Sequence, residues 1–140
     1  MKSALRYEVG LDILKGVIRW IHGPFPAGKW PDIKIFCDAL VHYLRKNERV
    51  EADDGYVGEA PARVKCPRSF VNPIENEGMQ SRVRSRHETV NKRFKQWGVL
   101  NQIYRHNLDD HAYIFRAVVV LTKLSLENGE PLFPVNYKDP

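Results

Sequence analysis

Two acidic residues, Asp53 and Glu88, have the type and setting of metal ligands. Asp53 stands where a short β-prone segment runs into a glycine-containing turn, and Glu88 lies in a predicted helix among cations. Carboxylate oxygens are the ligands that Mg²⁺ prefers, and a carboxylate at a strand end can converge with one on a helix. A pair of such ions can activate water or a 3′-hydroxyl and stabilise the leaving oxygen of a phosphodiester. Spacing alone does not single out this pair, because acidic residues at arbitrary separation occur in any protein.

Cations gather on the same segment as Glu88. The chain has a net charge of +5, and the stretch from Arg82 to Lys95 carries six basic residues against one acid, which equals the whole excess. Charge collected on one element indicates a nucleic-acid partner more strongly than charge spread evenly. The six cations are Arg82, Arg84, Arg86, Lys92, Arg93 and Lys95.

Both acids also have ordinary interpretations. Arg84, Glu88 and Lys92 follow one another at intervals of four, so an exposed ladder of ion pairs would explain Glu88. The run Asp53-Asp54-Gly55 is typical of a simple turn. A basic helix face is most often a solvated surface.

The elements that must position these residues begin with a hairpin. Apolar residues alternate with polar ones from Leu5 to Ile13, which predicts a strand. A turn at Lys15-Gly16 leads to a second strand over residues 17–21, and the breaker-rich residues 23–28 predict a loop.

Helices and short strands alternate in the rest of the chain. Pro31 suits the first turn of a helix whose apolar stripe runs from Ile33 to Leu44. Short strands are predicted at residues 49–53 and 63–66. A long helix over residues 75–97 and a helix over residues 109–127 follow, the latter apolar nearly all round and therefore expected in a core. This order predicts a mixed-sheet α/β fold in one domain, residues 1–140.

Composition excludes several classes of protein. A length of 140 residues with 43% apolar residues suits one soluble globular domain. No window reaches the length of an apolar membrane span, so no membrane partner is expected. Cys37 and Cys66 are too few for a disulfide scaffold, and their spacing does not suit a zinc site.

Three motifs in order resemble the Harbinger-like DDE superfamily endonucleases. The first is the run Gly23-Pro24-Phe25-Pro26, followed by Asp32 and Phe36. The second is Ala52-Asp53-Asp54-Gly55-Tyr56-Val57-Gly58, similar to the family's A-D-x-G-Y-x-G motif. The third is Arg84-Ser85-Arg86-His87-Glu88 with Lys95, similar to its R-x-R-x-x-E…K helix.

The resemblance implies a transposase lineage with an RNase H-like fold. It implies that Asp53 and Glu88 are the second and third catalytic carboxylates and ligands of Mg²⁺ or Mn²⁺. It further implies DNA as the partner, a separate DNA-binding partner protein that recognises the target, and a nuclear location. The DNA-facing cations implied on the helix are Arg84, Arg86, Lys92 and Lys95.

One departure from the family qualifies this expectation. The family's first catalytic Asp lies on a strand before the hairpin, whereas here Met1-Lys2-Ser3 leads directly into it. We therefore expect an incomplete carboxylate triad, a gap beside the Asp53 strand, and a chain that is inactive alone. The alternatives are a domesticated, non-catalytic module that binds DNA or a protein, and an unrelated α/β binding domain.

Overall fold

Strands and helices alternate along the chain in a computed structural model, which describes residues 4–69, 73–101, 104 and 107–137, without the side chains of residues 73–77. The mixed α/β class predicted from sequence is confirmed. The strands are β1 (Leu5–Leu11), β2 (Ile18–Pro26), β3 (Val50–Glu51) and β4 (Val64–Lys65). The helices are α1 (Asp32–Asp38), α2 (Leu40–Tyr43), α3 (Pro73–Lys95), α4 (Gly98–Asn101) and α5 (Leu108–Glu127), with 3-10 helices at Asp54–Glu59 and Pro67–Ser69.

β1 and β2 form the antiparallel hairpin that the alternating pattern predicts. Their register brings Leu5 opposite Pro26, so β2 continues through residues 23–26. The loop predicted there from sequence is wrong at those positions. Pro24 and Pro26 lack an N–H donor, but β2 lies at the edge of a two-stranded sheet, where a missing donor leaves no partner strand unsatisfied.

The helix predicted after Pro31 is divided in two. α1 begins after Pro31, whose φ of −63° matches a helical start. Ala39, with φ −138° and ψ −61°, interrupts the helix before α2. The prediction of one continuous helix is therefore wrong, although Phe36, Leu40 and Leu44 still pack into one apolar cluster.

β3 and β4 form a second sheet. They run parallel, with Val50 opposite Val64 and Glu51 opposite Lys65. Within the described ranges, neither strand hydrogen-bonds to the hairpin, so the molecule has two separate two-stranded sheets. The prediction of a single mixed sheet is therefore wrong, because β1 and β3 line a cleft and do not pair with each other.

Two apolar clusters form the interior. The first joins the hairpin to α5 and the C-terminal half of α3, and the second joins α1 and α2 to β3 and β4. A domain of this size usually has one contiguous core. Buried members of the first cluster are Ile18, Val90, Phe94, Phe115, Val118, Val119 and Leu126, and those of the second are Phe36, Val64 and Cys66.

α5 is buried on one side only. Phe115, Val118 and Val119 pack into the first cluster, whereas Val120 and Leu124 are 56% and 50% exposed. Sequence predicted burial all round, and this is wrong because, among the described residues, the hairpin and α3 pack against one side of the helix. Across the described residues, no helix combines the length and apolar character that a membrane crossing requires.

Candidate metal-binding cleft

A cleft of about 590 Å³ lies between elements of the two apolar clusters. One wall is formed by residues 7–14, which comprise most of β1 and the turn after it. The opposite wall is formed by residues 48–53, which include β3. Asp32 and Phe36 of α1 line it too, as does α3 between residues 83 and 91.

Asp53 is the N-cap residue of the 3-10 helix that follows β3. Its Oδ1 accepts a 2.9 Å hydrogen bond from the Gly55 N–H, which caps the first turn of that helix. The turn interpretation is therefore correct as local structure. The hydrogen bond holds the carboxylate through Oδ1 only, and Oδ2 has no protein partner among the described residues. The side chain is exposed and lines the cleft.

Glu88 lines the same cleft from α3. Its side chain is exposed, and it forms no hydrogen bond or ion pair with the parts of the chain that the structure describes. The ladder of ion pairs with Arg84 and Lys92 is consequently not formed. Two carboxylates far apart in sequence thus reach one cavity from different elements, each with oxygen atoms that no described side chain occupies.

His87 and Arg86 anchor α3 beside the cleft. His87 Nε2 lies 2.7 Å from the carbonyl oxygen of Val9 in β1. The Arg86 guanidinium donates to the carbonyl oxygens of Ile13 and Phe133, and the residue is only 3% exposed. Burial lowers the pKa of Arg86 from its ordinary value.

The buried position of Arg86 bears on its predicted role in DNA binding. At 100° per residue, Arg86 falls on the side of α3 that carries buried Val83 and Val90. Its guanidinium is occupied by main-chain oxygens inside the protein. Arg86 therefore has a structural role here, and its contact with DNA stays a prediction.

The other predicted DNA-facing cations lie differently. Arg84 lines the cleft and is half-buried, and its Nη1 atom is buried without a hydrogen-bond partner among the described residues. Lys92 and Lys95 are exposed and unpaired in the same ranges. Arg84, Glu88 and Lys95 fall within about 40° of one another around the helix. Along the axis of α3, the carboxylate of Glu88 therefore lies between the cations Arg84 and Lys95.

Five further acids line the cleft, namely Glu8, Asp12, Asp32, Glu48 and Glu51. Glu8 is 7% exposed, and its Oε1 accepts a 2.9 Å hydrogen bond from the Trp20 indole. Burial raises the pKa of Glu8, against the opposing effect of that hydrogen bond. Asp32 also lines the cleft and forms a 3.5 Å ion pair with Arg6. The sequence does not indicate Glu8 as a cleft residue, because a polar residue in an alternating strand indicates a solvent-facing position.

Tyr56 shows that these acids share one electrostatic environment. Burial raises the pKa of Tyr56, and the negative charges of Asp32, Glu8 and Asp53 raise it further. Asp54, the neighbour of Asp53, does not line the cleft. It instead accepts the Arg68 N–H at 3.0 Å and pairs with the Arg68 guanidinium. The two adjacent aspartates therefore have separate roles.

The cleft matches a divalent cation in donor type but not in number of ligands. Asp53 and Glu88 offer hard oxygen donors with open coordination sites, as Mg²⁺ and Mn²⁺ require. Within residues 4–69, 73–101, 104 and 107–137, no group of three or more His, Cys, Asp or Glu side chains is placed to hold an ion. Comparisons with protein-family models, curated proteins and solved structures found no match to this chain.

Proposed function

We propose that this chain is part of a divalent-metal-dependent DNA nuclease of the DDE transposase type, RNase H-like in fold, in which Asp53 and Glu88 hold Mg²⁺ or Mn²⁺. One observation carries the proposal: the two acids of the motifs line the same cleft, Asp53 from the turn after β3 and Glu88 from α3, and both have oxygens without a partner among the described residues. The order of the three motifs supports it. A nuclear location follows from the proposed action on chromosomal DNA.

Each residue has a defined task in this proposal. Asp53 lines the cleft and is preoriented by its bond to Gly55, so it would bind an ion at little entropic cost. Glu88 supplies the second ligand. A bound ion would activate a water molecule or the 3′-hydroxyl of a DNA strand, and it would neutralise charge at the leaving oxygen. Arg84, Lys92 and Lys95 would contact the phosphate backbone and position the strand.

Strand cleavage needs more than these two carboxylates. The DDE mechanism is built on three acids, and no third acid joins Asp53 and Glu88 as a metal ligand in the described residues. We therefore expect the 140-residue chain to bind a divalent ion without cleaving DNA on its own. Strand cleavage by the isolated chain in Mn²⁺, abolished by Asp53→Asn, would show that two carboxylates suffice.

Calorimetric titration with Mn²⁺ tests the metal site. Asp53→Asn and Glu88→Gln should each weaken binding at least about tenfold, because each removes one charged ligand. Asp54→Asn is the matched control, since Asp54 is adjacent in sequence but faces Arg68 outside the cleft. Equal Mn²⁺ affinity in the wild type and both cleft variants would refute the metal site.

The second candidate is a non-catalytic module that binds DNA through α3. Lys92 and Lys95 are exposed and unpaired among the described residues, so both would be available to DNA phosphates. Affinity for duplex DNA should fall steeply with salt, and Arg84→Ala with Lys95→Ala should flatten that slope. DNA binding that persists in chelator and in Asp53→Asn, together with no Mn²⁺ binding, would select this module over the nuclease.

A further inference from the structure

The cleft runs along the edges of two strands. Residues 7–14 line it consecutively, and so do residues 48–53. Residues 7–11 of these ranges belong to β1 and residues 50–51 to β3. Side chains alternate between the faces of a strand, so a cavity touched by every successive strand residue follows the strand's edge and not one face. In the described part of the chain, β1 pairs only with β2 and β3 only with β4, which leaves both cleft-side edges without a strand partner.

Main-chain groups of β3 point into this space. The N–H groups of Val50 and Ala52 donate toward β4, to the carbonyl oxygens of Arg63 and Lys65. Alternation in a strand then directs the N–H of Glu51 toward the opposite edge, which borders the cleft. On the β1 side, His87 and Arg86 each bond one carbonyl oxygen, and a carbonyl oxygen can accept a second hydrogen bond.

Unsatisfied buried polar atoms are concentrated on residues that line the cleft. They comprise two carboxylate oxygens, Glu8 Oε2 and Glu51 Oε2, and two guanidinium nitrogens, Arg84 Nη1 and Arg86 Nε. Each such atom costs about 1–3 kcal/mol if it stays without a partner. The side chains around the cleft thus include both donors and acceptors that have no partner among the described residues.

The charge of the cleft favours an occupant that carries basic residues. Seven acidic residues and three arginines line the cleft, and this acidic excess attracts cations. The apolar lining residues Phe36, Leu40 and Val83 come from helices α1, α2 and α3. A strand with apolar side chains would connect the two apolar clusters and bury those residues further.

We propose that the cleft is a docking site for an extended segment of another polypeptide, which adds as a β-strand between β1 and β3. The segment has apolar residues along its length and basic residues at its ends, complementing the acidic excess. Recognition by strand addition draws affinity from main-chain hydrogen bonds and selectivity from the side-chain pockets. The proposal does not depend on metal binding.

Hydrogen–deuterium exchange with a defined probe tests the docking site. The probe is a pool of nine-residue peptides with Val, Ile or Leu at alternate positions and Lys at both ends, added at about 1 mM, where even millimolar affinity gives partial occupancy. EDTA is present throughout, so the result is separate from that of the Mn²⁺ titration. At half occupancy we expect about twofold slower exchange of the Glu51 amide and slower exchange across residues 7–14, with α5 unchanged.

The matched control is the same pool with alternate backbone nitrogens methylated. Methylation preserves the side chains but removes the N–H donors that strand addition requires. Equal protection by both pools, or none by either, would overturn the proposal. Protection of Glu51 that rises with protein concentration in the absence of peptide would instead identify a second copy of this chain as the occupant.

Discussion

The imidazole Nε2 of His87 donates a 2.7 Å hydrogen bond to the carbonyl oxygen of Val9, which fixes α3 against β1 one residue before Glu88. A carbonyl oxygen can only accept, so the proton of the neutral ring must lie on Nε2, and Nδ1 faces the Asn91 amide at 3.5 Å. This bond holds α3 against β1, and it therefore also helps to fix the position of Glu88 at the cleft.

Removing the imidazole should loosen that link. His87→Ala is expected to lower the free energy of unfolding by about 1–2 kcal/mol, the usual range for a lost partly buried hydrogen bond. It should also weaken Mn²⁺ binding, because Glu88 is then held less firmly. Urea unfolding and calorimetric titration measure the two effects. Unchanged stability in His87→Ala would mean that the Val9 contact contributes nothing to anchoring α3.

Gly55 controls the orientation of Asp53. A Cβ atom added at Gly55 would come within 2.9 Å of Asp53 Oδ1, closer than real contacts allow. Gly55→Ala should therefore displace the carboxylate and weaken Mn²⁺ binding by about 3–10-fold, or roughly 1 kcal/mol. Gly78→Ala is the control, because no atom lies within 4 Å of the added Cβ there. Equal Mn²⁺ affinity in both variants would contradict a ligand role for Asp53 in this orientation.

Substitutions at Arg86 and Lys92 distinguish a cation of α3 that stabilises the fold from one that lies on its surface. Arg86→Ala removes buried hydrogen bonds to Ile13 and Phe133 and should cost about 2–4 kcal/mol of unfolding free energy. Lys92→Ala should stay within about 0.5 kcal/mol, because that side chain is exposed and unpaired in the described ranges. An Arg86→Ala protein as stable as Lys92→Ala, but impaired in binding DNA, would restore Arg86 to the DNA-facing set.

Glu8 should make the stability of the fold depend on pH. Burial raises its folded pKa, so the unfolded chain loses the proton first as pH rises, and stability falls through the window between the two values. The cost is fully present above the folded pKa. His22 opposes this shift and Asp32 adds to it, so both charges contribute to the profile.

Glu8→Gln should flatten that profile. The amide oxygen can keep the Trp20 hydrogen bond while the ionised form is eliminated. Urea midpoints measured from about pH 4 to pH 7, the range in which carboxyls titrate, give the comparison. We expect the variant to lose less stability than the wild type toward neutral pH. Identical slopes would show that Glu8 does not titrate within the folded protein over this range.

Local patterns predicted the elements better than their arrangement. The alternation in β1 and the apolar periods of α3 and α5 arise from neighbours in sequence, so they are visible without a structure. The extension of β2 past Gly23 is not visible in the sequence, because a strand can contain Pro24 only where its edge is free. The separation of β1 from β3 is likewise a long-range property.

The candidate site follows the same division. Asp53 and Glu88 were selected by residue type and motif, and both line the cleft. Arg86 belongs to the same motif as Glu88, yet it is buried, because the rotation of α3 against the hairpin decides which cations face solvent. Glu8 follows a solvent-facing pattern and is nevertheless buried under Trp20. Sequence periodicity cannot distinguish these cases.

The division of the interior into two apolar clusters has a consequence for how the molecule melts. All-or-none unfolding requires that loss of one part of the core removes the support of the other. Here the cluster around Phe115 and the cluster around Phe36 lie on either side of an open space, so we expect weak coupling between their unfolding. Scanning calorimetry should give a calorimetric enthalpy larger than the van't Hoff enthalpy, and a ratio of one would mean that α3 couples the two halves into a single transition.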